Sequence, residues 1–265
     1  LTVTEKHFKG HYDQQGHGAP ILCLAGFGCS NWIFEGLANK LQDSFCFIMP
    51  DNRGMGKSPK ASEPYSIEDL AEDALQLMTD LGHEQFHVIG ISMGGFLALA
   101  LSLLEPQRVL RLILMCATAA GDDFVPLPEV SEEMLIRSYA CDATTVIRLN
   151  TEMTTHGSLQ QRDPEVFAQI LHNKLLFRAD RDQLLLQSRA VNRFLEKELA
   201  LSQITAPCLL LSGDNDQVVD CRNSSILTRK LRDARVVLIT ETNHLFFLEK
   251  RDEVCAHILA FLECP

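Results

Sequence analysis

Short apolar runs punctuate the chain at residues 21–24, 46–49, 86–89, 112–116, 208–211 and 236–239, with longer stretches of helical spacing between them. Runs of that length without a polar stripe are the pattern of strands buried on both faces. The alternation therefore predicts a largely parallel sheet flanked by helices, an α/β fold. Helices are predicted over 32–41, 66–81, 94–104, 223–231 and 252–262. The second opens with Ser66 and Asp69 ahead of apolar Leu70, Ala74, Leu75 and Met78, the spacing of a capped amphipathic helix.

Between Cys116 and Cys208 the rhythm changes: no convincing strand appears, while 132–139, 164–176 and 182–195 are helix-friendly. Pro126 and Pro128 mark the way in, and Pro207 the return to the sheet. The chain is thus expected to comprise an α/β core, 1–120 and 204–265, and a helical insertion, 121–203, lying over it as a lid. Met134, Leu135, Phe167, Leu171 and Phe194 would either line an acyl pocket under that lid or fasten it to the core.

Composition narrows the partners. A net charge of −11 over 265 residues, with no run of Lys or Arg, opposes nucleic acid and anionic membrane surfaces. No apolar stretch approaches the roughly 18–20 residues of a membrane span. The nine cysteines are odd in number, and Cys23, Cys46, Cys116 and Cys208 fall inside apolar runs, where Cys acts as a small hydrophobe. With no zinc-type spacing and no charged-then-apolar leader pattern, a reducing cytoplasm, no metal and no cofactor are expected.

The chemistry centres on Gly90-Ile91-Ser92-Met93-Gly94-Gly95, which follows the run 86–89 and opens a helix. Gly-x-Ser-x-Gly between strand and helix is a turn tight enough to lift the serine hydroxyl clear of the backbone, although a serine there can also be a simple N-cap. A serine nucleophile needs a base, and the base needs an orienting acid. Asp214 and Asp216 follow the run 208–211, and His244 follows 236–239, which puts all of them at the sheet edge that carries Ser92. Of the other histidines, His87 lies within a strand and His156 and His172 within the insertion; each is expected to be a surface or packing residue, since a base must come within hydrogen-bond reach of Ser92.

The order Ser92, acid, His244 resembles that of the α/β-hydrolase superfamily over nearly the whole chain. Asp51-Asn52-Arg53-Gly54-Met55-Gly56-Lys57-Ser58 is similar to the family's DxRGxGxS loop, and Leu24-Ala25-Gly26-Phe27-Gly28 to its oxyanion segment. Ala25 stands where many members have His, and Asn243 where Gly usually precedes the histidine. The resemblance implies a mostly parallel sheet of eight strands, Asp216 as the acid with Asp214 in reserve, and backbone N–H groups of Phe27 and Met93 as the oxyanion hole. It also implies a cofactor-free serine hydrolase of a carboxylic ester, lactone or thioester, similar to 3-oxoadipate enol-lactonases and pimeloyl-carrier methyl ester esterases. A small-molecule receptor retaining the triad, and a carbon–carbon bond hydrolase of diketo acids, are the alternatives. Arg189 and Arg193, one helical turn apart, either form a solvated face paired with Asp180 and Asp182 or greet an acidic partner such as an acyl carrier protein.

Overall fold

The computed structural model describes residues 7–128 and 131–264; of the expected core, residues 1–6 and 265 lie outside these, as do 129–130 of the expected insertion. Its strands are β1 (Tyr12–Gln15), β2 (Ala19–Leu24), β3 (Phe45–Pro50), β4 (Phe86–Ile91), β5 (Val109–Met115), β6 (Cys208–Gly213) and β7 (Ala234–Ile239). Helices α1 (Glu35–Leu41), α2 (Ile67–Asp80) and α3 (Met93–Leu104) alternate with the first strands. Then come α4 (Glu132–Ala140), α5 (Ala143–Thr154), α6 (Leu159–Arg162), α7 (Pro164–Leu176) and α8 (Arg181–Leu195), followed by α9 (Arg222–Lys230), α10 (Phe246–Glu249) and α11 (Arg251–Leu262).

One sheet in the order β1-β3-β2-β4-β5-β6-β7 results, parallel throughout except for β1 against β3. Among the described residues it has seven strands, a correction to the eight implied by the resemblance. β1 escapes sequence reading because Tyr-Asp-Gln-Gln is a polar edge strand with no apolar run. Of the strands foreseen from apolarity, the inner ones are buried on both sides: Ile21, Cys23, Ile89, Ile113 and Leu209 pack beneath α1 and α11, while Leu22, Leu24, Val88, Leu112 and Leu210 pack beneath α2 and α3; β7 departs from this, being an edge strand with Val236 and Leu238 exposed.

α2 forms as predicted, its start fixed by a capping box in which Ser66 and Asp69 exchange hydrogen bonds. The predicted helix 32–41 instead opens with a 3-10 turn over Asn31–Phe34 before α1. α5 was not foreseen, being rich in β-branched residues; Asp142 starts it by accepting the Thr145 N–H at 2.8 Å.

The chain passes from β2 to β3 on one side and on to β4 on the other, so the ends of β2 and β4 border the crevice where this sheet reverses direction. Leu24 of β2 pairs with Gly90 of β4 there, which brings the segment after Leu24 beside the turn after Ile91.

Helices α4–α8 intervene between β5 and β6 and are tied to the core by polar contacts. Gln183 exchanges hydrogen bonds with the backbone of Ala61, Arg193 donates to the Tyr65 carbonyl, and Lys60 pairs with Asp180. Of the apolar side chains expected to form a pocket or a fastening, Phe194 stacks on Phe96 at 5.2 Å and Phe167 is buried, so both fasten; Met134 is exposed.

Candidate active site

Ser92 occupies the turn between β4 and α3 with φ 54 and ψ −118, a conformation strained for any residue with a side chain. It stands at the N-cap position, yet its side chain makes no capping hydrogen bond, so the hydroxyl is not spent on the helix. Two glycines make the turn possible. A Cβ on Gly94 would lie 1.9 Å from the Leu24 carbonyl oxygen, and one on Gly90 would lie 2.4 Å from the Gly94 carbonyl oxygen.

At the same edge, His244 and Asp216 are both buried, and His244 Nδ1 lies 2.9 Å from Asp216 Oδ2 and 3.1 Å from Oδ1. Oδ1 also accepts the N–H groups of Val218 and Val219, each at 2.8 Å, which fixes the carboxylate plane. Asp214, the reserve acid, turns to Thr242 N–H and Asn215 Nδ2 instead and makes no hydrogen bond to the imidazole. With Nδ1 facing the carboxylate, Nε2 is the nitrogen left to take up a proton.

Ser92 N–H donates to the Met115 carbonyl at 2.8 Å, joining the turn to the end of β5. The next residue, Cys116, has φ 42, and its thiol, an Asp216 oxygen and a His244 nitrogen all lie within 4.8 Å of one another. Cys116 thus lies between the Ser92 turn and the pair, and no hydrogen bond joins the Ser92 hydroxyl to the imidazole among the described residues. Burial, reinforced by the Asp216 charge, pushes the Cys116 thiol well up. A protonated thiol is a poor metal ligand, so the cluster reads as the surroundings of a histidine. Sequence reading took Cys116 for filler, and nothing in its apolar run signals otherwise.

Phe27 and Met93, the residues expected to supply the oxyanion hole, lie after β2 and at the start of α3. Met93 opens α3, where backbone N–H groups have no partner within the helix, and Phe27 lies in the turn closed by Cys29 N–H to the Gly26 carbonyl at 3.1 Å. In place of the missing histidine at 25, the fully buried Gln187 of α8 reaches this loop, its Oε1 accepting the Gly28 N–H at 2.7 Å. Gln187 was not foreseen; its signal is the spacing of Gln183, Gln187, Ala190 and Phe194 down the buried face of α8. Asp51 and Arg53 brace loops: Asp51 accepts from Asn31 and Lys57 N–H, and Arg53 pairs with Asp73. His87 is buried within β4, and burial drives its imidazole down to about 4, leaving it neutral and apart from the chemistry.

Asn243 was read as a simple replacement for glycine, and it proves to be a junction. Its Oδ1 accepts the N–H of Gln217 and of His244, each at 2.8 Å, while its Nδ2 donates to the carbonyls of Met153 and Thr155 at 2.9 and 3.0 Å. One side chain thus joins the acid loop, the histidine loop and the end of α5. Asn243→Ala leaves these groups unpartnered and is expected to cost about 2–4 kcal/mol, lowering Tm by roughly 5–15 °C in calorimetry. An unchanged Tm would strip Asn243 of this role.

The family described as alpha/beta hydrolase fold matches residues 19–140. The chain is 29% identical over 248 residues to the poly(3-hydroxyalkanoate) depolymerase of Ectopseudomonas oleovorans, covering 93% of this chain and 85% of that one. It is 26% identical over 261 residues to the 2-hydroxy-6-oxononadienedioate/2-hydroxy-6-oxononatrienedioate hydrolase 1 of Dechloromonas aromatica, covering 95% and 90%. The enol-lactonase structure from Burkholderia xenovorans LB400 superposes with a TM-score of 0.83 at 23% identity, covering 95% of each chain.

Proposed function

The chain belongs to the α/β-hydrolase superfamily and is a hydrolase of that fold, and from this premise we propose that it cleaves a carboxylic ester, lactone or thioester through an acyl-enzyme on Ser92. The observation that carries the reading is the buried Asp216–His244 hydrogen bond of 2.9 Å at the edge where Ser92 is held in its strained turn.

Ser92 Oγ attacks the carbonyl carbon as its proton passes to Nε2 of His244. The resulting oxyanion is met by the N–H groups of Phe27 and Met93, at the ends of β2 and β4. Collapse breaks the bond to the leaving group, which takes the proton from His244, and water then enters by the same route to release the acid and restore Ser92. Asp216 holds the tautomer with the proton on Nδ1 and stabilises the imidazolium as it forms.

Helices α4–α8, within the expected boundaries 121–203, are read as the lid; the hydrogen bond from Gly28 to Gln187 and those from Asn243 to the end of α5 support this. A free small molecule is the substrate taken forward ahead of an acyl carrier protein, since Arg189 forks onto Glu132 and Arg193 is bound to the Tyr65 carbonyl. Nine free thiols support a reducing, cytoplasmic setting, and no helix among the described residues is long and apolar enough to cross a membrane. The likeness to a dienedioate hydrolase favours carbon–carbon bond cleavage of diketo acids as the second reading.

Turnover of 4-nitrophenyl acetate and butyrate, with a stoichiometric phosphonate adduct on the peptide that carries Ser92, is the expected result by absorbance and mass spectrometry. Diketo acid cleavage without ester turnover would move the chain to the second reading. Tight binding of small acyl compounds with neither turnover nor adduct would make it a receptor.

A further inference from the structure

The loop that leaves β2 lies directly against the nucleophile turn: a Cβ on Gly26 would come 3.2 Å from the Ile91 carbonyl oxygen and 3.4 Å from Ser92 Cβ. Gly26 to Cys29 form a β-turn, closed by Cys29 N–H to the Gly26 carbonyl at 3.1 Å, with Gly28 in its third place at φ 67. A positive φ there marks type II, which differs from type I chiefly in the direction of the peptide between the two central residues. That peptide joins Phe27 to Gly28, and the closing hydrogen bond of the turn does not hold it. Whatever fixes it fixes the shape of the turn carrying the Phe27 N–H, the donor expected to meet the oxyanion.

The acceptor that holds this peptide comes from α8. Gly28 N–H donates to Oε1 of Gln187 at 2.7 Å, and Leu184, one turn earlier on the same face, lies against Gly28, where an added Cβ would stand 3.0 Å from its Cδ2. Gln187 is fully buried, and its Nε2 has no hydrogen-bond partner. A buried amide nitrogen without an acceptor costs stability, so an apolar side chain would fill the same space more favourably. The oxygen is what distinguishes glutamine at this position. Gln183 shows the contrast: its Oε1 accepts Ala61 N–H at 2.8 Å and its Nε2 donates to the Ala61 carbonyl at 3.1 Å, a fully paired tie between α8 and the core.

We infer that Gln187 is a positioning residue of the oxyanion hole: by holding the Phe27–Gly28 peptide from α8 it aligns the Phe27 N–H, and the hole is ready for negative charge only while α8 is docked on the core. This rests on the serine hydrolase reading above and deepens it. No step passes through the Gln187 side chain itself. Its contribution appears as charge develops on the substrate oxygen, because a rigid donor already aimed at that point needs no reorganisation.

The test sets Gln187→Met beside Gln183→Met in the full chain, with 4-nitrophenyl butyrate as substrate and propyl trifluoromethyl ketone as probe. Ser92 Oγ adds to the ketone carbon as its proton passes to His244, leaving an oxyanion of the reaction's own geometry with no leaving group to expel. Acylation and deacylation both pass through such an oxyanion, so kcat reports on it whichever step limits. Gln187→Met should lower kcat about 10- to 100-fold with KM within about threefold, and weaken ketone binding by a similar factor. Methionine leaves Gly28 N–H bare but removes the unpaired amide, so Tm should stay within a few degrees of the parent. Gln187→Asn, one methylene short of Gly28, should show both losses again. Gln183→Met, which breaks a tie of α8 without touching the loop after β2, should lower Tm and leave kcat and ketone affinity within about threefold. Equal kcat losses in the Gln183 and Gln187 variants would trace the effect to a loosened α8 and overturn the positioning role. So would a kcat loss in Gln187→Met with ketone affinity unchanged, or a Gln187→Met as active as the parent. A parent that neither turns over the ester nor binds the ketone overturns the hydrolase reading itself, a result distinct from all of these.

Discussion

Ser92→Ala is expected to lower ester turnover by at least about 10⁴-fold, with kcat carrying the loss and KM little changed. Alanine keeps the Cβ and the backbone demands of the turn, while Gly90 and Gly94 still provide the room it needs. Folding should therefore be preserved, with Tm within a few degrees of the parent. The residual rate would be that of a site able to bind substrate and polarise its carbonyl but lacking an attacking oxygen. Steady-state kinetics with 4-nitrophenyl butyrate reads the effect. Turnover within tenfold of the parent would remove Ser92 from the chemistry and leave its strained backbone without a catalytic explanation.

Asp216→Asn is expected to cost about 10⁴ in kcat, whereas Asp214→Asn should stay within about threefold of the parent. The asymmetry follows from what each carboxylate touches. Asp216 faces Nδ1 of His244 at 2.9 Å while holding Val218 and Val219 N–H, so an amide can keep the two backbone bonds through its oxygen and must then aim its NH₂ at the imidazole. That favours the tautomer with the proton on Nε2, which cannot accept one from Ser92. Asp214 accepts from Thr242 and Asn215 near the surface, and an asparagine oxygen does the same. The reverse ranking of the two variants would transfer the orienting role to Asp214.

The parallel sheet was legible in the chain because apolar runs report its inner strands, and Ser92, Asp216 and His244, each following such a run, fall at one rim of it, where Asp216 and His244 meet. Where the signal failed, the physics differs. β1 is a polar edge strand, and α5 owes its start to a cap rather than to periodicity. Cys116 reads as the last residue of an apolar run; only the leftward turn of its backbone beside His244 sets it apart. Gln187 and Asn243 act across contacts between the helices α4–α8 and the core, separated by 159 positions for the Gly28–Gln187 bond, and no local pattern encodes such a meeting.

The near-contact between Gly94 and the Leu24 carbonyl also decides which parts of this protein can drift. Any side chain at 94 would prise β2 from α3, disturbing the turn that holds Ser92 and the loop after Leu24 in a single stroke, so the position admits no compromise. Solvent-facing residues such as Leu149 and Leu176 carry no such constraint. Laboratory evolution toward new acyl groups will therefore find its accepted changes among the intervening helices, with the rim of the sheet left as inherited.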